Sequence, residues 1–545
     1  MRLIRNLLRP EGGEADGRVI PEILLILLLF LASNLVLGLY YWLPQRNILA
    51  LFTVVPESAV VSLLILGISR FSRRRRLSLL LLLLLPVSLV VLFGLGESFY
   101  QFVYREHFVP WRDLAFLPGF MNMIFSTNRF AQPVILGVSL VVPLLLTMGI
   151  LFFLFYFALE RSARLPWRAV ALVAPPLLLS TLTLLGGQPW RYPITARLVD
   201  QALPPTPPEY AAEELEPSRE DPLPLLGGGD LRFFVIESYG HTLFSREDHN
   251  RLIMPIYDYL EEDLEDSGYS IVSHFMRSPA FGGRSWLADG TILSGVWLGD
   301  QAAYDGVKES DRRTIIDVMN QAGYETVLAA PGMTYFDPGY REFYRFDRFY
   351  IQRDFTYRGP HYTFGRLPDQ YLLRYMRERT EGVESPLFTT YVMVSSHVPF
   401  RIVPPYFEDW DGMGDGSIYH RVSPTVFDNN WLSGGEYPEG YTASIEYSLK
   451  SAVDYVRLYL EEGDIAVIIG DHQPRIPISE RSSTYSVPVH ILSKLDRQVA
   501  PFKERGFVDG LVPSQEPPHP RMDTLYPLIY EVLIGVPAVE SLLAP

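Results

Sequence analysis

Beyond residue 230, three apolar runs of this chain each end in side chains capable of chemistry. "IAVIIGDHQPR", residues 465–475, passes through a glycine into Asp471 and His472, groups that an apolar core does not tolerate unpaired. "FFVIESYG" ends in Glu237 and "VMVSSHVPF" in His397. In "SPAFGGRSWLADGTILSGV" a glycine pair and Arg284 lead to Ser285 at a predicted helix start, where free N–H groups and the helix dipole favour an oxyanion. Glu237, Asp471 and His472 offer two oxygen ligands and one nitrogen ligand to a single divalent metal, and the Ser285 oxygen suits the fourth position. A serine hydroxyl is a weak nucleophile at neutral pH, and coordination lowers its pKa. Arg284 and Arg475 are suited to steadying a phosphoryl group, and His397 to binding its oxygens or protonating a leaving group. Each residue also has a plainer reading: a turn with a surface histidine at 471–472, a helix cap at Ser285, a structural histidine at 397, surface charges at the arginines. For the set to be accidental, all of these must hold at once.

These side chains need a scaffold that gathers strand ends. From 231 onward, apolar runs alternate with amphipathic segments such as "RLIMPIYDYLEEDLEDSGY" and "RRTIIDVMNQAGYETVLAAPG", a pattern that predicts a mainly parallel sheet covered by helices on both faces. Ligands of such sheets collect at the carboxyl ends of the strands. "DTLYPLIYEVLIGV" reads as a closing helix. The acidic, proline-rich stretch 191–229 ends in three glycines and reads as an extended spacer, leaving 230–545 as the catalytic domain.

The chain has 545 residues, more than one ordinary core accommodates. Nearly all its long apolar runs precede residue 190, and five approach the roughly 20 residues that cross a bilayer. They fall at about 20–42, 48–69, 77–96, 133–158 and 169–186, which makes residues 1–190 a transmembrane domain. Arginines at 2, 5, 9 and 18, the run "RFSRRRR" at 70–76, and Arg161, Arg164 and Arg168 all fall on one side of five spans. Positive charge marks the cytoplasmic side, so everything after about 187 is expected outside. Tyr40, Tyr41, Trp42 and Trp190 suit an interfacial belt. Glu57 is an ionisable group within a span, and is a functional candidate or an interfacial residue beside Pro56. The loop 97–132 mixes aromatic and charged residues, as a segment lying along a membrane surface does. The net charge of −15 argues against nucleic acid as a partner. The absence of cysteine excludes disulfides, thiolate metal sites and cysteine nucleophiles.

At "IESYG" (236–240), the segment around Ser285, "SSHVPF" (395–400) and "GDHQP" (470–474), in that order, the sequence resembles the alkaline phosphatase and sulfatase superfamily. Within it, the likeness is to the membrane-anchored branch of lipoteichoic acid synthases and related phosphoglycerol or phosphoethanolamine transferases. The resemblance implies a sulfatase-like α/β domain outside the cytoplasm on a five-helix membrane domain, in a cell (inner) membrane protein with a cytoplasmic N-terminus. It maps Glu237, Ser285, Asp471 and His472 onto the metal and nucleophile positions, with manganese, zinc or magnesium as the ion, and His397 onto the substrate-binding histidine. It implies a phospholipid donor and a glycan or glycolipid acceptor. Lipoteichoic acid synthases use threonine at the Ser285 position and carry a tryptophan and an arginine where this chain has Tyr335 and Asp337, with Arg341 as a substitute. Ser285 is followed by Trp-Leu-Ala, which does not match the signal for formylglycine, and Glu237 is followed by Ser238 rather than a second acid, so no full second metal site is expected beside it. Three functions follow: a transferase working through a covalent Ser285 intermediate, a phosphate- or sulfate-ester hydrolase with the same metal site, or a non-catalytic binding module.

Overall fold

The structure is a computed structural model, and it describes residues 19–45, 56–103, 107–113, 132–164, 223–336, 339–362, 364–428, 437–476, 478–480 and 483–537. The chain divides into two compact units, 1–204 and 205–545.

In the first unit the described helices are α1 (Val19–Gln45), α2 (Pro56–Ile68), α3 (Arg73–Val103) and α4 (Gln132–Ser162). Within α3, Arg73–Ser98 is long and apolar enough to cross a membrane, and within α4 so is Val142–Ser162. The apolar stretches of α1 and α2 are shorter, and the fifth expected span, 169–186, lies outside the described residues. Ile26, Phe30, Ile65, Leu84, Leu151 and Phe155 form the core where these helices meet. Their outer faces are apolar as well: Leu82 is 76 % exposed and Phe153 64 %. A helix that is apolar all round is not a water-facing helix. Arg70 donates to the Ser162 carbonyl at 3.0 Å and Arg76 lies 3.8 Å from Glu160, which ties the 70–76 arginine cluster to the end of α4 where Arg161 and Arg164 sit.

The second unit is built on β1 (Leu231–Ile236), α5 (Glu247–Asp266), β2 (Ser270–Arg277), α6 (Ser285–Ser294), β3 (Glu325–Ala330), β4 (Arg348–Ile351), α7 (Asp369–Thr380), β5 (Leu387–Met393), α8 (Tyr437–Tyr459), β6 (Ile465–Gly470), β7 (Ser486–Ser493), β8 (Val508–Asp509) and α9 (Leu525–Leu533). The eight strands run in the order β8-β2-β7-β6-β1-β5-β3-β4. The five from β6 to β4 are parallel, and β7, β2 and β8 extend the sheet with antiparallel pairings.

Alternation along each strand feeds two cores. Phe233 and Val235 of β1, with Val467 and Ile469 of β6, face a core completed by Leu287 and Ile292 of α6 and by Leu528 and Ile529 of α9. Phe234, Ile236 and Ile468 face the opposite core, filled by α5 and α8. On α5 the buried set Ile253, Tyr257, Leu260 and Leu264 has helical spacing, which explains its seat on the sheet. Each such side chain contributes about 1.5–3 kcal/mol on burial. The end of the proline-rich stretch is not extended: Leu223 and Leu226 are buried, and the Leu225 amide donates to Leu533 of α9 at 3.2 Å.

Register decides where the chemistry falls. Ile236 pairs with Met393 on one side and Gly470 on the other, so β1, β5 and β6 end level with one another. Glu237, the turn carrying His397, and Asp471-His472 therefore leave the sheet at one edge. Gly470 is required there, because a Cβ on it would come 1.9 Å from the Tyr239 carbonyl oxygen.

Candidate active site and metal centre

Glu237, Asp471 and His472 are buried, and one ligand atom from each lies within 4.8 Å of the others, the one such group among the described residues. His472 Nε2 is 3.4 Å from a carboxylate oxygen of each acid. Its Nδ1 lies 2.8 Å from the Gln473 carbonyl. That bond requires the proton on Nδ1 and turns the Nε2 lone pair toward the two acids. Asp471 Oδ1 accepts from the Ser238 and His472 amides at 2.7 and 2.6 Å, which fixes its other oxygen on the cluster. Glu237 accepts from the Ser238 hydroxyl at 2.8 Å, while its carbonyl is held by Ser396 at 2.6 Å. Ser238 sits at φ 58°, a conformation unusual for a residue with a side chain, and Tyr441 donates to its carbonyl at 2.8 Å. This turn aims amide and hydroxyl at two different acids.

Ser285 completes the group. Gly282, Gly283 and Arg284 all have positive φ, and the turn they make places Ser285 as the first residue of α6. The capping position belongs to Arg284, so the Ser285 hydroxyl is not a helix cap. It donates to Glu237 Oε2 at 3.0 Å and lies 3.3 Å from His472 Nε2.

The electrostatics of the cluster fit a divalent cation. Burial, and then the charge of Glu237, push the Asp471 carboxyl up to about 7. Burial opposes ionisation of Glu237 too, but His472, His397 and the Ser238 and Ser285 hydroxyls hold it below the usual range. Burial works against protonation of His472, yet the two acids raise it. Two acids and an imidazole crowded together out of water form a donor set suited to a doubly charged ion.

His397 stands at the end of β5. Its Nδ1 is 2.8 Å from the Val398 carbonyl, and its ring stacks on Phe364 with centroids 4.8 Å apart and planes 15° apart. Its electrostatic influence reaches Glu237. Arg475 is buried and close enough to Tyr437 to act on that phenol. Arg341 sits over Phe336 and Phe349, with centroid distances of 5.2 and 4.9 Å, on the outer flank by β4. Tyr335 is exposed, and Asp337 lies outside the described residues.

One acid escapes sequence reasoning. Asp289, one turn along α6 from Ser285, has its Oδ1 sealed from solvent without a hydrogen-bond partner. Burial, Asp471 and Glu237 raise its pKa well above the usual carboxylate range. "LADG" reads as a helix surface or turn, and only the packed fold reveals its proximity to the other acids.

No family model and no curated protein matches the chain. Solved structures do. The structure of a protein in the alkaline phosphatase superfamily from Vibrio parahaemolyticus aligns over 59 % of this chain and 72 % of its own at 16 % identity and TM-score 0.35. The integral membrane protein lipooligosaccharide phosphoethanolamine transferase A (EptA) from Neisseria meningitidis aligns over 93 % of this chain and 95 % of its own at 14 % identity, with a TM-score of 0.46. The lipoteichoic acid synthase LtaP from Listeria monocytogenes aligns over 58 % of this chain and 74 % of its own at 14 % identity and TM-score 0.37. The Streptococcus pyogenes phosphoglycerol transferase GacH, solved with sn-glycerol-1-phosphate, covers 59 % and 82 % at 13 % identity and TM-score 0.34.

Proposed function

We propose that this protein is a membrane-anchored, metal-dependent transferase of the alkaline phosphatase and sulfatase superfamily. It moves a phosphoglycerol or similar phospho-alcohol group from a membrane phospholipid, through a covalent Ser285 intermediate, to an extracytoplasmic glycan or glycolipid. The observation that carries this reading is the Ser285 hydroxyl at a helix start, 3.0 Å from Glu237 and 3.3 Å from His472 in the buried acid and imidazole cluster. The membrane anchoring in this reading rests on α3 and α4, which contain stretches long and apolar enough to span a bilayer. A tethered enzyme meets its lipid donor at high local concentration, which replaces tight binding.

Glu237, Asp471, His472 and Ser285 would hold the ion, manganese, zinc or magnesium. When bound, it supplies Lewis acidity that favours the serine alkoxide and the phosphoryl charge. Ser285 Oγ gives up its proton and attacks the donor phosphorus, and the bond from phosphorus to the diacylglycerol oxygen breaks. An acceptor hydroxyl then attacks the phosphoserine, restores the Ser285 hydroxyl and carries the group away. His397, with Nδ1–H pointed at the Val398 carbonyl, keeps Nε2 for the proton that each leaving or entering oxygen exchanges. Arg284 and Arg475, flanking Ser285 and Asp471 in sequence, bind phosphoryl oxygens, and Arg341 binds the outer portion of the substrate.

Intact mass of the full-length protein, incubated with divalent metal and mixed phospholipids beside Ser285→Ala, tests this. An adduct expected only with Ser285 identifies the nucleophile, and its mass identifies the group carried. Turnover that persists in Ser285→Ala would overturn the nucleophile assignment. A free phospho-alcohol product, never glycan-linked, would favour the hydrolase.

A further inference from the structure

A second pair of metal-ligating side chains lies outside this centre, on residues the proposed reaction does not use. His241 follows the turn that leaves Glu237, and its amide donates to the Ser486 carbonyl at 3.0 Å. His519 lies in the segment after β8. Their ring centroids are 5.7 Å apart with planes at 51°, and both pack against Phe275, at 4.7 and 5.0 Å.

The two rings share a pattern of bonding. His519 Nδ1 is held by the Ser486 hydroxyl at 2.7 Å, while its Nε2 is sealed from solvent without a partner. His241 Nδ1 is likewise sealed without a partner, and Gln515 is close enough to act on the ring. An imidazole with one nitrogen anchored to an oxygen and the other unsatisfied is how a metal-binding histidine is prepared. The spacing agrees. With a metal about 2.1 Å from each nitrogen, and each nitrogen about 1.1 Å from its ring centre, two imidazoles sharing one ion have centroids about 5–6 Å apart. Burial lowers His241 to about 4 and lowers His519 as well, so both rings are neutral and keep their lone pairs.

We propose that His241 Nδ1 and His519 Nε2 bind a zinc-like transition-metal cation at a site separate from the Glu237, Asp471 and His472 centre. With two protein ligands, the remaining positions of the ion would be filled by water. The ion links the loop that leaves Glu237 to the segment after the last strand, so it braces the active-site turn from behind. The site stands apart from the catalytic reading, and only the ion counts below rest on that reading's metal at Glu237, Asp471 and His472.

The test is the zinc content of the full-length protein in detergent after equilibration with zinc and removal of the excess. About two ions per chain are expected in the wild type and about one each in His241→Gln, His519→Gln and Asp471→Asn. Near zero is expected in the double variant Asp471→Asn/His519→Gln. A wild-type content of about one that Asp471→Asn abolishes would mean the imidazoles are bridged by water and would overturn the site. So would a content of two that both histidine variants keep. As a readout free of histidine substitutions, copper(II) added to Asp471→Asn should show coupling to two imidazole nitrogens in its paramagnetic resonance spectrum, and coupling to one or none refutes the pair.

Discussion

The acids and imidazole of the main centre are a costly arrangement that a bound cation would relieve. Without metal the native state holds extra protons, on Asp471 because burial and Glu237 raise its carboxyl to about 7, and on His472 because its acid neighbours raise it above 6.5. Where the native state binds more protons than the unfolded chain, stability falls as pH rises. Metal-free protein is therefore expected to lose unfolding free energy from about pH 4.5 upward through neutrality, by at most about 1.4 kcal/mol per pH unit for each group. Glu237, held below its usual range, contributes in the opposite direction only under its ordinary value of 4.5. Metal-loaded protein should show a flat or rising profile over the same window. Denaturant unfolding with and without chelator, from pH 5 to 8, checks this, and matching falling profiles would mean that no ion sits among these groups.

Elements make the centre accurate. The level ends of β1 and β6 deliver Glu237, Asp471 and His472, and the left-handed turn at 282–284 delivers Ser285. Gly470→Ala should push a methyl group into the Tyr239 carbonyl, cost about 1–3 kcal/mol of stability and loosen metal binding. Urea unfolding and metal titration measure both effects, and a neutral result in each would show that the two strand ends are not so closely locked. Much of this is legible in the sequence. An unbroken apolar run ending in an acid, as in "VIE" and "IIGDH", marks a buried strand meeting a ligand-bearing edge, and a serine after two glycines marks a helix start. What stays hidden depends on distance in the fold rather than in the chain. Asp289 looks like any helical acid until α6 is laid against β1 and β6, and nothing in the sequence pairs His241 with His519. Arg341 reads as a substrate group in the sequence, and its seat over the faces of Phe336 and Phe349 is visible only in the fold. The stretch ending at 229 reads as open spacer by composition, yet Leu223 and Leu226 have apolar partners to bury against.

At the scale of the whole molecule the chain has two compact units, and the proposed function gives anchoring to the first and chemistry to the second. A chain beginning at residue 223 keeps the docked leucines and the entire sheet. It is expected to cleave a water-soluble phosphodiester at a rate within about threefold of the full-length protein, and to act on vesicle lipids slower by about 100-fold or more, because the tether no longer concentrates it at the donor. Parallel assays on the two substrates decide this, and an equal loss on both would mean that the membrane unit contributes to the site itself. The register that brings Glu237 beside Asp471 has a consequence for biosynthesis. One acid is made early in the domain and the other late, and they become neighbours only when β6 slides in beside β1. Until then the nascent chain has a serine and one acid but nothing to arm them. On the proposed reading, a product that stops short of Asp471 lacks the second acid and the imidazole and leaves lipids untouched, so the order of synthesis would act as a safety catch on an enzyme that works on its own membrane.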